Sequence, residues 1–292
     1  MQRPLPQTIA ALRIPNREYE YFADHASHPF RPDEGALSLT KAWWMAELCL
    51  LSYVRETDFI EDRLTRAGFT GMNLVDKSGF RALIALAPDH AILTFRGTMF
   101  REPSNILADA KVRLVKDRRG GQAHRGFSEA LDVLWDDIEP RVRAATRTRR
   151  LWVTGHSMGA ALATLAVRRD LPALGVGALG SPRVGDDEFA RTQPPLPHWR
   201  VVHQHDIVCY LPPPWRYRHV GQVVHLTRTG EVRFGLDAVD RIREGVRDRI
   251  STVLRGEGGW QSILKRAVGE NALSDHAPVN YALRLWNALH RE

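Results

Sequence analysis

Five residues, Gly155-His156-Ser157-Met158-Gly159, are the stretch whose types and spacing speak most directly of chemistry. They follow the apolar run Leu151-Trp152-Val153-Thr154 and precede the alanine-rich residues 160–167. Strand, G-x-S-x-G, helix is the order that a nucleophile elbow requires. A turn this tight strains the serine backbone and leaves no room for side chains two residues before and after it. The serine Oγ is then exposed at the tip of the turn. The next N–H, that of Met158, points out of a helix N-terminus, where the dipole favours negative charge. The chemistry implied is nucleophilic attack with stabilisation of a developing oxyanion.

A nucleophilic serine needs an acid and a histidine, and in α/β hydrolases the chain order is serine, acid, histidine. Asp206 lies at the C-terminal end of the second strand pattern after the elbow, the side on which open α/β sheets carry ligands. Asp186 and Asp187 are rivals, but lie only one strand beyond the elbow. His276 sits in a loop before the last helix. His219 and His225 fall in a hairpin pattern, and His290 falls at a helix end. His203 and His205 flank Asp206 too closely to complete the order. His124 reads as a hydrogen-bonded structural histidine rather than a base. Thr98 follows a strand ending in Arg96-Gly97 and could offer its backbone N–H and Oγ as a second oxyanion donor. A plain strand-end turn is the competing reading of that fragment.

The elements that must position these groups read as follows. Residues 1–35, rich in proline, charge and aromatics, form an extended arm lying on the domain, and residues 36–292 form the domain itself. Residues 40–54 carry apolar groups at three- and four-residue steps and read as a core helix, with a membrane-lying helix around Trp43-Trp44 as the alternative. Residues 80–87 and 91–95 are buried strands joined by Pro88-Asp89-His90 as a hairpin. Residues 99–110 are apolar enough for a lid beside the oxyanion position, or for a core helix turn. Residues 111–122 are a basic loop before a helix opened by His124-Arg125-Gly126-Phe127. Strands follow at 176–180 and 199–203, and a hairpin at 223–234. Residues 236–254 form an amphipathic helix, the larger part of an insert spanning 236–273. Its polar faces alternate in charge and read first as solvated, with membrane or partner docking as the sharper alternative.

Composition sets the outer limits. The 292 residues, 43% hydrophobic, suffice for one large α/β domain. The 41 basic residues outnumber the 34 acidic ones, for a net charge of +7. The basic groups are mostly scattered arginines, a bias toward anionic surfaces such as phospholipid headgroups rather than a nucleic-acid footprint. Cys49 and Cys209 form neither a disulfide framework nor a zinc pattern and read as buried free thiols. The first 30 residues lack a signal-peptide apolar core, and no apolar run approaches the ~18 residues of a membrane span. A cytoplasmic protein is the expectation.

Six motifs in order make the chain resemble the class-three, fungal-type triacylglycerol lipase family of α/β hydrolases. They are Thr94-Phe95-Arg96-Gly97-Thr98, His124-Arg125-Gly126-Phe127, Thr154-Gly155-His156-Ser157-Met158-Gly159-Ala160-Ala161, Gly180-Ser181-Pro182-Arg183-Val184-Gly185-Asp186, Asp206-Ile207-Val208 with Leu211-Pro212-Pro213, and Asp275-His276 with Tyr281. The resemblance implies an α/β-hydrolase fold, with a mostly parallel central sheet flanked by helices. It implies Ser157 as nucleophile, Asp206 as acid, His276 as base, Thr98 and Met158 at the oxyanion hole, and a lid at 99–110. The expected activity is hydrolysis of acylglycerol or related lipid esters, with no metal or organic cofactor, no nucleic acid, and contact with a lipid interface. Phospholipase A1, short-chain esterase, thioesterase or amidase chemistry on the same residues are alternatives, as is a non-catalytic lipid-binding protein. The arginine-rich insert at 236–273 is unlike the compact fungal enzymes.

Overall fold

A computed structural model describes residues 2–6, 12, 17–33, 38–97, 113–204, 206–227, 229–235 and 275–291. Thr98, His205, the lid expected at 99–110 and the insert expected at 236–273 lie outside the described residues.

Ten strands are described: β1 (Gly71–Lys77), β2 (Phe80–Leu86), β3 (His90–Phe95), β4 (Leu114–Lys116), β5 (Gln122–His124), β6 (Arg150–His156), β7 (Ala173–Leu179), β8 (His198–His203), β9 (Gln222–Leu226) and β10 (Val232–Phe234). Eight of them form one sheet in the order β1-β2-β3-β6-β7-β8-β9-β10. The five central strands β3, β6, β7, β8 and β9 run parallel, and antiparallel hairpins close both edges. The expected hairpins at 80–95 and 223–234 are therefore present. β4 and β5 pair as a separate ribbon.

The sheet is covered on both faces, as a mostly parallel sheet requires. Side chains alternate between the two layers with the strand period of two. On β3, Ile92 joins one cluster while Ala91, Leu93 and Phe95 join the other. On β6, Trp152 goes one way and Leu151 and Val153 the other. The first layer holds helices α1 (Leu39–Leu51) and, at the C-terminus, α6 (Pro278–Leu289), which pack against each other. α1 starts where Ser38 Oγ accepts the Lys41 N–H at 3.2 Å, an N-cap. From Lys41 to Leu51 every residue is buried, which fits an interior helix and not one lying on a membrane. Trp43 and Trp44 both belong to that core.

The second layer holds α3 (Arg125–Ala145) and α4 (Met158–Ala166). α3 buries the stripe Phe127, Leu131, Leu134, Ile138 and Val142. α4 is mostly small residues, six of nine, and is buried throughout, so it lies close on the sheet. Two short helices, α2 (Thr57–Arg66) and α5 (Asp187–Arg191), complete the described set. Residues 21–28 of the expected arm run as successive turns rather than as an extended chain. Tyr19, Tyr21, Phe22 and Phe30 are buried in the same cluster as α1.

Candidate active site

Ser157 sits between β6 and α4 with φ 60° and ψ −128°, a conformation rarely adopted by a residue with a side chain. The two flanking glycines explain how the turn is tolerated. A Cβ on Gly155 would lie 2.2 Å from the Gly159 carbonyl oxygen, and one on Gly159 would lie 2.1 Å from that of Phe95. α4 thus begins directly against the ends of β3 and β6. The Ser157 N–H donates to the Leu179 carbonyl at 2.9 Å, tying the elbow to β7, and the serine side chain makes no capping bond to the helix. Met158 is the first residue of α4. The chain leaving β3 passes just as closely: a Cβ on Gly97 would stand 2.6 Å from the His156 carbonyl oxygen and 3.0 Å from Ser157 Cβ.

Asp206 follows β8 and is fully buried. Described groups hold its carboxylate from several sides. His276 Nδ1 lies 2.8 and 2.9 Å from its two oxygens. The Val208 N–H donates to Oδ1 at 2.9 Å, and the Tyr281 hydroxyl donates to Oδ2 at 2.5 Å. Burial, then the Asp206 carboxylate, push the Tyr281 phenol up, so Tyr281 remains a donor. Tyr281 lies in the first turn of α6, and its oxygen in turn accepts the His203 N–H at 3.2 Å. A Cβ on Gly180 would come within 2.9 Å of Asp206 Oδ2 and 3.2 Å of His276 Cε1, so the end of β7 leaves room for the pair.

Two further histidines hold the backbone around His276. The His156 ring lies 4.6 Å from the His276 ring, and its Nε2 is 2.9 Å from the His276 carbonyl oxygen. A carbonyl can only accept, so Nε2 carries the proton and Nδ1 accepts from the Tyr53 hydroxyl at 2.8 Å. Burial, then the neighbouring His276, keep His156 well below the usual imidazole range and therefore neutral. The Gly97 N–H also reaches the Tyr53 oxygen. By the same reasoning His203 Nδ1 donates to the Asp275 carbonyl at 2.9 Å, and burial pushes this imidazole down to about 4. One network therefore joins the end of β3, the elbow and the helical turn at Asp275-His276, where the sequence predicts a loop.

The rival residues lie elsewhere. Asp186 caps α5 by accepting the Phe189 N–H at 2.8 Å, and Asp187 pairs with Arg218. His225 faces the Gln204 carbonyl, and His290 Nδ1 bonds the Trp286 carbonyl. His124 stacks on Phe127 with centroids 4.3 Å apart, and burial pushes it down to about 4. Its Nδ1 has no hydrogen-bond partner among the described residues, so the expected ring bond is not seen there. Cys49 and Cys209 are both buried free thiols. Sequence reasoning gave no role to Tyr53 or His156 and set His203 aside. The only signal for them was a histidine inside the elbow motif and another at the strand end before the acid.

The architecture, with a serine elbow and a buried aspartate–histidine pair beyond it, is the α/β-hydrolase fold. Residues 92–215 match the class 3 lipases. A secreted mono- and diacylglycerol lipase of Fusarium solani is 39% identical over 113 residues, covering 34% of this chain and 33% of the relative. A lipase of Rhizopus niveus is 34% identical over 140 residues, covering 41% of this chain and 34% of the relative. The chain thus spans about a third of the length of these curated relatives. Among solved structures, a Rhizomucor miehei lipase–propeptide complex superposes with a TM-score of 0.55 at 22% identity, over 68% of this chain and 70% of that one. That likeness bears on the fold. The secreted relative overturns the cytoplasmic expectation, which rests on a missing leader pattern.

Proposed function

We propose that this protein is a serine ester hydrolase of the lipase type, acting on acylglycerol or related lipid esters. The observation that carries the proposal is the buried Asp206–His276 pair, held by His156 to the same turn that presents Ser157. Ser157 Oγ attacks the ester carbonyl while His276 Nε2 takes its proton. Asp206, bonded to Nδ1, keeps that tautomer and steadies the imidazolium that forms. The N–H of Met158, at the N-terminus of α4, and Thr98, next after Gly97, receive the oxyanion. His276 then protonates the leaving alcohol, and water releases the acyl group by the same route in reverse.

The curated relatives are named as lipases, which favours a lipid ester over a soluble one. Contact with a lipid interface fits Trp215, which is 67% exposed beside Arg216, since indole and guanidinium groups suit the headgroup region. The net charge of +7 favours anionic interfaces and gives phospholipid esters a place among the substrates. The test is hydrolysis of p-nitrophenyl esters of increasing acyl length, wild type beside Ser157→Ala. Activity that rises with chain length and vanishes in the variant is the expected result. Equal hydrolysis by both proteins would refute the assignment of the nucleophile, and a short-chain optimum would refute the lipid substrate.

A further inference from the structure

Away from the candidate active site, Asp24, His28 and His290 place one carboxylate oxygen and two imidazole nitrogens within 4.8 Å of one another. The first two belong to the N-terminal turns, and His290 closes the far end of α6. We propose that these three residues form a zinc site that ties the N-terminal segment to the C-terminal helix. It is independent of the ester-hydrolase reading.

Two of the three ligands carry an outer hydrogen bond that orients them, and the third is packed between rings. His290 Nδ1 bonds the Trp286 carbonyl at 3.0 Å, which fixes the proton on Nδ1 and leaves the lone pair on Nε2. Its ring also lies against Trp286, with centroids 4.0 Å apart. The His28 ring is held edge-on between Trp43 and Trp286, at 6.3 and 5.8 Å, and 5.1 Å from His290. No hydrogen bond to the His28 ring is made among the described residues. Asp24 Oδ1 accepts from Ser27 Oγ at 2.7 Å, an outer bond that orients the carboxylate and leaves Oδ2 for a metal. Asp24 is exposed and the two histidines are half-buried, so a hydrated ion can enter.

The donor set selects the metal class. Two imidazoles and one carboxylate suit zinc or cobalt, whereas magnesium and calcium prefer all-oxygen sets. Tetrahedral zinc with bonds of about 2.0–2.1 Å would bring its ligands to about 3.3 Å from one another. Small rotations of the three side chains must close the remaining gap from within 4.8 Å. Three protein ligands leave one position for water. Tyr281 and His290 stand at opposite ends of α6, roughly 14 Å apart at helical rise, so the expected effect is on stability rather than turnover.

The test is calorimetric titration of Zn2+ into the full chain after chelator treatment, with Asp24→Asn, His290→Gln and the double variant alongside. Expected are one saturable ion per chain, affinity lowered at least ~10-fold by either substitution, and a melting temperature raised by zinc in the wild type only. Mg2+ should give neither effect, and Co2+ should give visible bands of tetrahedral nitrogen–oxygen ligation. The proposal is overturned by no saturable zinc binding to the wild type, or by zinc binding that the double variant retains in full. The latter would place the ion among the chain's other histidines.

Discussion

Replacing His156 by phenylalanine keeps a ring of similar size in the elbow and removes both of its hydrogen bonds. The Tyr53 hydroxyl then loses its acceptor and the His276 carbonyl its donor. Tyr53, residue 156 and His276 are 1%, 1% and 4% exposed, so water cannot replace either partner without a rearrangement. An unsatisfied buried polar group costs about 1–3 kcal/mol, so the substitution should destabilise the fold by roughly 2–6 kcal/mol. Tyr53→Phe strands the Nδ1 acceptor and the Gly97 N–H and should likewise cost about 2–6 kcal/mol. If the bond to the His276 carbonyl positions the imidazole, kcat must fall as well, because a displacement near 1 Å can cost ~10²-fold. His156→Gln is the control, since its amide can donate to the carbonyl and accept from Tyr53. Denaturant unfolding and steady-state ester hydrolysis read the two effects separately. The account expects kcat to fall with KM little changed in His156→Phe, and to recover in His156→Gln. A phenylalanine variant that is destabilised yet turns over at the wild-type rate would refute the positioning role.

Other outcomes follow from the same contacts. Asp206→Asn should lower kcat by about 10⁴ with the fold retained, because the amide favours the wrong imidazole tautomer; pre-steady-state acylation measures it. Gly159→Ala should fail to fold or lose activity altogether, since its Cβ would lie 2.1 Å from the Phe95 carbonyl oxygen; circular dichroism and activity distinguish the two. Glu47, fully buried, accepts from Tyr19, Trp43 and the Phe22 N–H, yet burial outweighs these donors and pushes it up to about 7. A raised carboxylate pKa means the folded state binds the extra proton between pH 4.5 and 7. Stability from this group is therefore greatest below 4.5 and declines by about 3 kcal/mol as pH rises through 7. Glu47→Gln should remove that decline, so the stability gap between variant and wild type should shift in the variant's favour between pH 4.5 and 8 in urea titrations.

The parts of the site that were legible in the sequence are those fixed by local geometry. The elbow is one, since only glycine fits beside Gly159 and Phe95 at those positions. The hairpin around Pro88 is another, because continuous apolar runs bounded by a turn mark buried strands. Asp206 and His276 were legible from chain order and strand ends. The network that holds them was not. Tyr53 meets His156 across 103 residues, and His156 meets His276 across 120, through a ring and a backbone carbonyl that no spacing rule anticipates. His203 was set aside because it lies near Asp206 in sequence, whereas its ring reaches the Asp275 carbonyl. β1 and α2 gave weak signals for another reason. β1 is an edge strand of mixed burial, and only Ile60 and Leu64 of α2 are buried, so neither carries a continuous apolar pattern. The insert at 236–273, with the clearest helical stripe in the sequence, lies outside the described residues.

The central claim is that Ser157 is a nucleophile activated by His276 and Asp206. The most direct measurement is labelling with a fluorophosphonate probe, with the modified residue mapped by peptide mass spectrometry in the wild type, His276→Ala and Asp206→Asn. A single adduct on Ser157 is expected, formed rapidly in the wild type and far more slowly in both variants. An adduct on another residue, or Ser157 labelling at an unchanged rate in both variants, would contradict it.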